Sequence, residues 1–323
     1  MATLGEIELY RGEPVGAPLN MTVDEGGLFW WADVGTKALG SFDPRADDPA
    51  ATLRLTPLPE GSMPIQPRFG PNHTIWFTDA GRRGLGRVEA GAVDPAATLT
   101  FVTTPEMPPL LGLSPPAADG RLWFTSREAG ILGSVDPAAE DPAATLEIID
   151  RPELSGLTGA FPGPDDHLWI ANVGADSIAR IDPLASDPAA TLETHPPPPG
   201  GIHPRAWRPG PDGRMWFSQR DPDGLFRMDP GADDWTQAIE RVCGTGDVSA
   251  PDGLCGGPDG RLWFCNAGTS SIGRLDPTVS SPAETLEYFG APGLDTPFDL
   301  QNVGEFMAFT DQGGSVGRIR ADD

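Results

Sequence analysis

Residues 251–277 read PDGLCGGPDGRLWFCNAGTSSIGRLDP. The stretch punctuates itself. Pro258-Asp259-Gly260 is a tight-turn sequence between two short runs, Gly253-Leu254-Cys255 and Leu262-Trp263-Phe264, and Ile272-Gly273-Arg274-Leu275 is a third run closed by Asp276-Pro277. Runs of this length, bounded by Gly, Pro and Asp, are short strands, and a proline ends a strand because it brings no N–H. The same phrase recurs around Trp30, Trp76, Trp123, Trp169, Trp216 and Trp263, and a last copy, FMAFTDQGGSVGRIR, sets Ala308 at the tryptophan position. Successive copies are 46, 47, 46, 47, 47 and 45 residues apart. A fixed period of this length marks a propeller or a solenoid, and tight hairpin turns inside each unit select the propeller.

The fourth copy shows the four strands of one blade: GLTGAF, HLWIAN, SIARID and ATLETH, the last reached through PLASDPA. The tryptophan is expected to be a core wedge between blades, and the repeated PAATLE a linker followed by an edge strand. The last copy stops after its third strand, Arg318-Ile319-Arg320, whereas Glu6–Tyr10 reads as an outer strand placed before the first copy. The expected fold is therefore all-β: one domain over residues 1–323, a seven-bladed β-propeller whose N-terminal strand closes the last blade and removes an exposed edge.

Composition narrows the function. Net charge is −25 with a pI near 4.3, and Lys37 is the one lysine. A nucleic-acid partner needs a concentrated basic face, so it is excluded. No apolar run approaches the ~18 residues of a membrane span. The first residues have neither the basic nor the apolar region of a secretory signal, and Cys243, Cys255 and Cys265 are an odd number, so a reduced cytoplasmic setting and a monomer acting on a small molecule are expected. GxSxG, P-loop, HExxH and CxxC motifs are absent. Cys255 and Cys265 are expected to be buried small residues facing each other across one hairpin.

A site is expected at the channel mouth where the loops between blades gather. Two rings of positions converge there. Three residues after the tryptophan lie Asp33, Asp79, Ser126, Asn172, Gln219, Asn266 and Asp311; eleven before it lie Leu19, Ile65, Gly112, Thr158, Arg205, Asp252 and, after one gap, Phe298. In a closed ring, Asp311, Asp33 and Asp79 share a sector with Asp252 and Asp299, opposite Arg127, Arg205 and Arg220, with His203 and Trp207 nearby. Clustered carboxylates are the ligands of Mg²⁺ or Ca²⁺, and crowding raises the pKa of a general acid or base. The same residues are equally suited to hydrogen-bond strand ends and cap loops.

The repeats resemble the blade signature of the streptogramin (virginiamycin B) lyase family, PxGIxxGPDGxLWFTExGxxxIGRI, over essentially the whole chain. PDGLCGGPDGRLWFCNAGTSSIGRLDP, from Pro251, and PRAWRPGPDGRMWFSQ, from Pro204, carry the resemblance. It implies a Mg²⁺-dependent elimination that opens a cyclic depsipeptide at its ester. The family's sixth-blade histidine falls on Asp252, its Glu-Pro-His on Thr296-Pro297-Phe298 and its late glutamate on Asp311 or Gln312, so the imidazole bases are replaced. His73 and His167 sit in turns at the far end, and His195 precedes a proline run.

Three functions follow. The first is a diverged lyase-like enzyme in which Asp252, Asp299, Asp33 and Asp79 bind metal or move protons and Arg205 holds an anionic oxygen, with His203 near the mouth. The second is a non-catalytic propeller holding a ligand or a protein through exposed aromatics at Trp207, Phe298 and Trp235. The third is a lactonase-like hydrolase with Asn172 and Asn266 around a metal.

Overall fold

The computed structural model describes residues 3–12, 15–195, 203–232, 234 and 237–322. Seven antiparallel sheets succeed one another along the chain. Blade six is representative, with an inner strand Pro251–Gly256, then Leu262–Asn266, Ser271–Leu275 and an outer strand Glu287–Phe289. Inner strands contact their neighbours around a ring, which closes where Pro18–Val23 of blade one meets Pro297–Val303 of blade seven. Blade seven takes its outer strand from the N-terminal segment: Ile7–Arg11 pairs antiparallel with Ser315–Arg320, from Ile7↔Ile319 to Arg11↔Ser315.

The repeat motif is one set of interactions. In blade six Trp263 lies opposite Arg274 and Phe264 opposite Gly273. The Arg274 guanidinium sits 5.3 Å from the Trp263 ring centroid, a cation–π contact repeated at 5.4 Å by Arg180 over Trp169. A Cβ on Gly273 would collide with the Phe264 ring, so that position needs glycine. The Trp263 indole N–H donates to the turn aspartate Asp259 at 2.9 Å, and Trp216 and Trp169 do the same to Asp212 and Asp165. The motif arginine also reaches the next blade: Arg227 Nη1 donates to Pro277 O at 3.0 Å, and Arg318 Nη1 donates to Pro44 O at 2.6 Å across the ring closure. Asp-Pro thus ends a strand and offers its carbonyl to the neighbouring blade.

Two expectations need correction. The PAAT segment is a 3₁₀ turn rather than a linker. In Pro49–Thr52 the Thr52 hydroxyl donates to Pro49 O at 2.7 Å and accepts the Asp43 N–H at 2.9 Å, tying the turn to the strand that Asp43 ends. The third repeat has three regular strands, not four. Its inner segment pairs only over residues 111–114, through the bridge Leu113↔Phe124 and bonds such as Ser114 N–H to Trp123 O at 2.7 Å, and Pro108, Pro109, Pro115 and Pro116 on either side bring no ladder donors.

Candidate functional site at the channel

The inner strands carry a shared irregularity. Register shifts occur between Pro18 and Met21, Pro64 and Pro67, Leu157 and Gly159, Pro204 and Trp207, Pro251 and Leu254, and Pro297 and Asp299. A bulge leaves residues unpaired and re-aims their side chains. The freed N–H is caught by the Ser or Thr after the aromatic pair: Gln66 N–H donates to Thr78 Oγ1 at 3.1 Å, Ala206 N–H to Ser218 Oγ at 3.3 Å and Asp299 N–H to Thr310 Oγ1 at 3.2 Å. In blades two, five and seven a hydroxyl therefore holds the bulge, whereas blades one, four and six carry Ala32, Ala171 and Cys265 at that position.

The bulged residues line a central cavity of about 90 Å³, to which Arg205, Asp252, Phe298 and Asp299 contribute. Asp252 is 3% exposed and clamped between two guanidiniums: Arg205 Nε donates to Oδ1 at 3.1 Å, and Arg220 Nη2 pairs with Oδ2. Burial pushes the Asp252 carboxyl above the usual carboxylate range despite the opposing pull of Arg205 and Arg220. Asp299 is equally buried; its Oδ1 accepts the Leu300 N–H at 3.0 Å and lies 3.6 Å from Arg208 Nη2, while Oδ2 has no partner. A Cβ at Gly253 would come within 2.6 Å of Asp299, so the glycine lets the two carboxylate-bearing strands approach. The expected carboxylate and guanidinium sectors are thus not opposed across the mouth; they meet as one cluster over blades five to seven.

The ring three residues after the tryptophan does something else. None of Asp33, Asp79, Ser126, Asn172, Gln219, Asn266 or Asp311 lines the cavity. Each lies at the end of its strand, where the loop between blades leaves backbone N–H groups without ladder partners. Asp33 accepts N–H bonds from Gly16, Ala17 and Thr36 at 2.9–3.0 Å. Burial alone would raise its pKa, and these donors, with the Trp31 indole, bring it below the usual range. Asp79 accepts from Met63 and Arg82, and Asp311 from Thr296, Gly313 and the Ser315 hydroxyl. Asn172 and Asn266 take the Ser155 and Ser249 N–H groups at 2.7 Å, and Gln219 takes that of His203 at 3.2 Å. The proposed metal ligands Asp33 and Asp311 are therefore committed to their own loops through both oxygens, and Asp79 through Oδ1 alone, its Oδ2 being buried without a partner. Among the described residues no group of three or more His, Cys, Asp or Glu is placed to hold a metal ion.

The other expected site residues divide between the cavity wall and the surface. His203 is exposed, with Nε2 3.0 Å from Asp176 Oδ1, and does not line the cavity. Trp207 reaches the cavity wall but is only 4% exposed, packed 4.6 Å from Phe217, so it is core rather than rim. Phe298 is half-buried at the mouth, Arg127 is exposed, and Trp235 lies outside the described residues. Cys255 does not face Cys265; it pairs with Trp263, and both cysteines pack in one apolar cluster.

Sequence reasoning missed Arg68 and Arg208, which also line the channel. They pair directly with Trp76 and Trp216, as Thr22, Phe161 and Cys255 pair with Trp30, Trp169 and Trp263. The available signal was that this position varies in chemistry while its partner repeats.

The solved structure described as streptogramin B lyase superposes with a TM-score of 0.78 at 19% identity, covering 98% of this chain and 97% of the other. A catalytically inactive virginiamycin B lyase from Staphylococcus aureus, solved with quinupristin, gives 0.79 at 17% identity over 98% and 99%. YCF48 bound to D1 peptide gives 0.70 at 11% identity over 98% and 97%. These likenesses show the fold. No curated protein matches the chain in sequence. The profile of the virginiamycin B lyase family matches residues 56–322, which is most of the chain and runs from the outer strand of blade one to the end of blade seven. The chain belongs to the virginiamycin B lyase family.

Proposed function

We propose that the chain is a streptogramin-lyase-like enzyme that takes a small, polyfunctional, cyclic metabolite at the channel mouth and opens it by elimination. The observation that supports this most is Asp252: a carboxylate at the mouth, nearly buried, with its pKa raised by that burial and two arginines against it. A raised pKa suits a base that must take a proton and hold it. In the reaction Asp252 accepts a proton from the carbon next to a carbonyl. The C–H electrons form a C=C bond, the ester C–O bond breaks, and a carboxylate leaves. Arg205, nearly half of whose side chain remains open to solvent, balances charge developing on the carbonyl oxygen. No step runs through a metal ion.

The test is incubation of the purified protein with cyclic depsipeptides, quinupristin among them, and macrolactones, read by mass spectrometry. Elimination gives a linear product of unchanged mass, whereas a lactonase-like hydrolysis adds one water. Turnover lost in Asp252→Asn supports the proposal. Turnover unchanged in both Asp252→Asn and Arg205→Ala sinks it, and ligand retention without product favours the non-catalytic propeller.

A further inference from the structure

The channel has a second opening. Residues from the far ends of the inner strands, next to the turns, enclose a cavity of about 390 Å³ whose wall includes Phe69, Pro115, Phe161 and Gln301 together with Arg68 and Arg208. Both guanidiniums lie over one ring, Arg208 at 4.2 Å and Arg68 at 5.7 Å from the Phe161 centroid. Arg68 is buried; its Nη1 donates to Met21 O and Pro67 O at 3.0 and 2.9 Å, and its Nε has no partner. Arg208 Nη1 donates to Trp207 O at 2.7 Å, and its nearest carboxylate, Asp299, is 3.6 Å away.

The charge balance is inverted here. The chain carries −25 overall, yet the two channel cavities are lined by Arg68, Arg205 and Arg208 against Asp252 and Asp299, with Arg220 paired to Asp252. At the inner position one carboxylate faces two guanidiniums. A like-charged pair held in a low-dielectric channel is unfavourable unless an anion completes it. Burial and the neighbouring Arg208 pull the Arg68 pKa down to about 9, with Asp299 opposing. The remaining wall is largely aromatic and proline, which suits an apolar body and offers a phosphate little else to bond.

We propose that this second opening binds a small organic monocarboxylate, its carboxylate between Arg68 and Arg208 and its apolar body against Phe69, Phe161 and Pro115. Guanidinium forks match a carboxylate with paired N–H donors. Arg68, Arg208 and Phe161 stand between the two cavities, and the site makes no use of Asp252 or Arg205, which line the mouth cavity alone.

The experiment is calorimetric titration of the full chain with benzoate, with acetate and inorganic phosphate as comparison probes. Benzoate binds, roughly tenfold or more tighter than acetate, since the ring buries against the wall. Arg208→Gln weakens benzoate by roughly tenfold or more, the loss of a charge-assisted pair. Gln301→Glu is a second variant that sets a competing carboxylate on the same wall; it abolishes benzoate binding while the melting temperature stays at or above that of the unsubstituted chain. Asp252→Asn retains benzoate binding. No heat with benzoate, equal affinity for acetate, preference for phosphate, or indifference to both Arg208→Gln and Gln301→Glu each overturns the proposal.

Discussion

Arg318→Ala tests how the ring is held shut. Arg318 stands in the third strand of blade seven and bonds in two directions. Nη1 donates to Pro44 O at 2.6 Å and Ala46 O at 3.1 Å in blade one, while Nε and Nη2 donate to Glu8 Oε1 at 2.9 and 2.7 Å in the N-terminal strand. Its guanidinium also lies 4.5 Å from the Phe306 ring centroid. Losing the charged bonds to backbone carbonyls costs ~1.5–3 kcal/mol. The Glu8 pair is discounted to about 0.5 kcal/mol because Glu8 is over a third exposed. The ring contact adds ~0.5–1 kcal/mol, which brings the loss to about 3 kcal/mol. An unfolding entropy of ~2 cal/mol/K per residue over 323 residues is about 0.7 kcal/mol/K, so the melting temperature falls by about 4–5 °C. The matched control is Arg180→Ala, whose corresponding bond to Pro230 O is 3.5 Å long and whose loss lies inside the ring; about half the shift is expected. Scanning calorimetry reads both, and hydrogen exchange reads the amides of Ile7–Arg11, which lose protection in Arg318→Ala alone. An Arg318→Ala shift no larger than that of Arg180→Ala, or unchanged protection of Ile7–Arg11, would refute this account of closure.

Three further outcomes follow from the same contacts. Asp252 has a raised folded pKa, so the folded state holds that proton more tightly and the group's contribution to stability declines as pH rises from the unfolded carboxylate value of ~3.9 through the folded one. Asp252→Asn should therefore gain melting temperature relative to the unsubstituted chain as pH is raised; a gap that closes with rising pH contradicts this. Asp33 has the opposite sign: its lowered pKa contributes stability above the unfolded value that is lost as pH falls through the folded one. Asp33→Asn should cost about 2 kcal/mol at neutral pH, and the cost should shrink in acid, as read by denaturant titration across pH. Gly273→Ala forces a Cβ into the Phe264 ring and should cost ~1–3 kcal/mol, whereas Ala at exposed Gly91, where nothing lies within 4 Å, should leave the denaturation midpoint unchanged.

The fold was legible because its determinants are local and repeated. Trp263, Asp259, Gly273 and Arg274 satisfy one another within one blade, so a period of strands and turns carries the architecture without any knowledge of distant contacts. Closure was legible too, since Glu6–Tyr10 supplies the strand that the last copy lacks. Arg205, Asp252, Phe298 and Asp299 could be placed at the channel by counting from the tryptophans. Counting failed where strand-end position and side-chain commitment part company. Asp33, Asp79 and Asp311 stand at equivalent strand ends, but each accepts N–H bonds from the loop some sixteen residues upstream, leaving only Asp79 Oδ2 without a partner. Arg68 and Arg208 were passed over because each inner strand is bulged, and a bulge breaks the two-residue alternation by which a side chain's face is read. Seven blades and their order were readable from the chain because they rest on short-range hydrogen bonds and cross-strand pairs, and closure because one strand missing at the end is matched by one spare at the start. Which charges share the channel is set by the assembled ring, because Asp252 meets Arg205 and Arg220, and Asp299 meets Arg208, across separate blades that no local pattern relates.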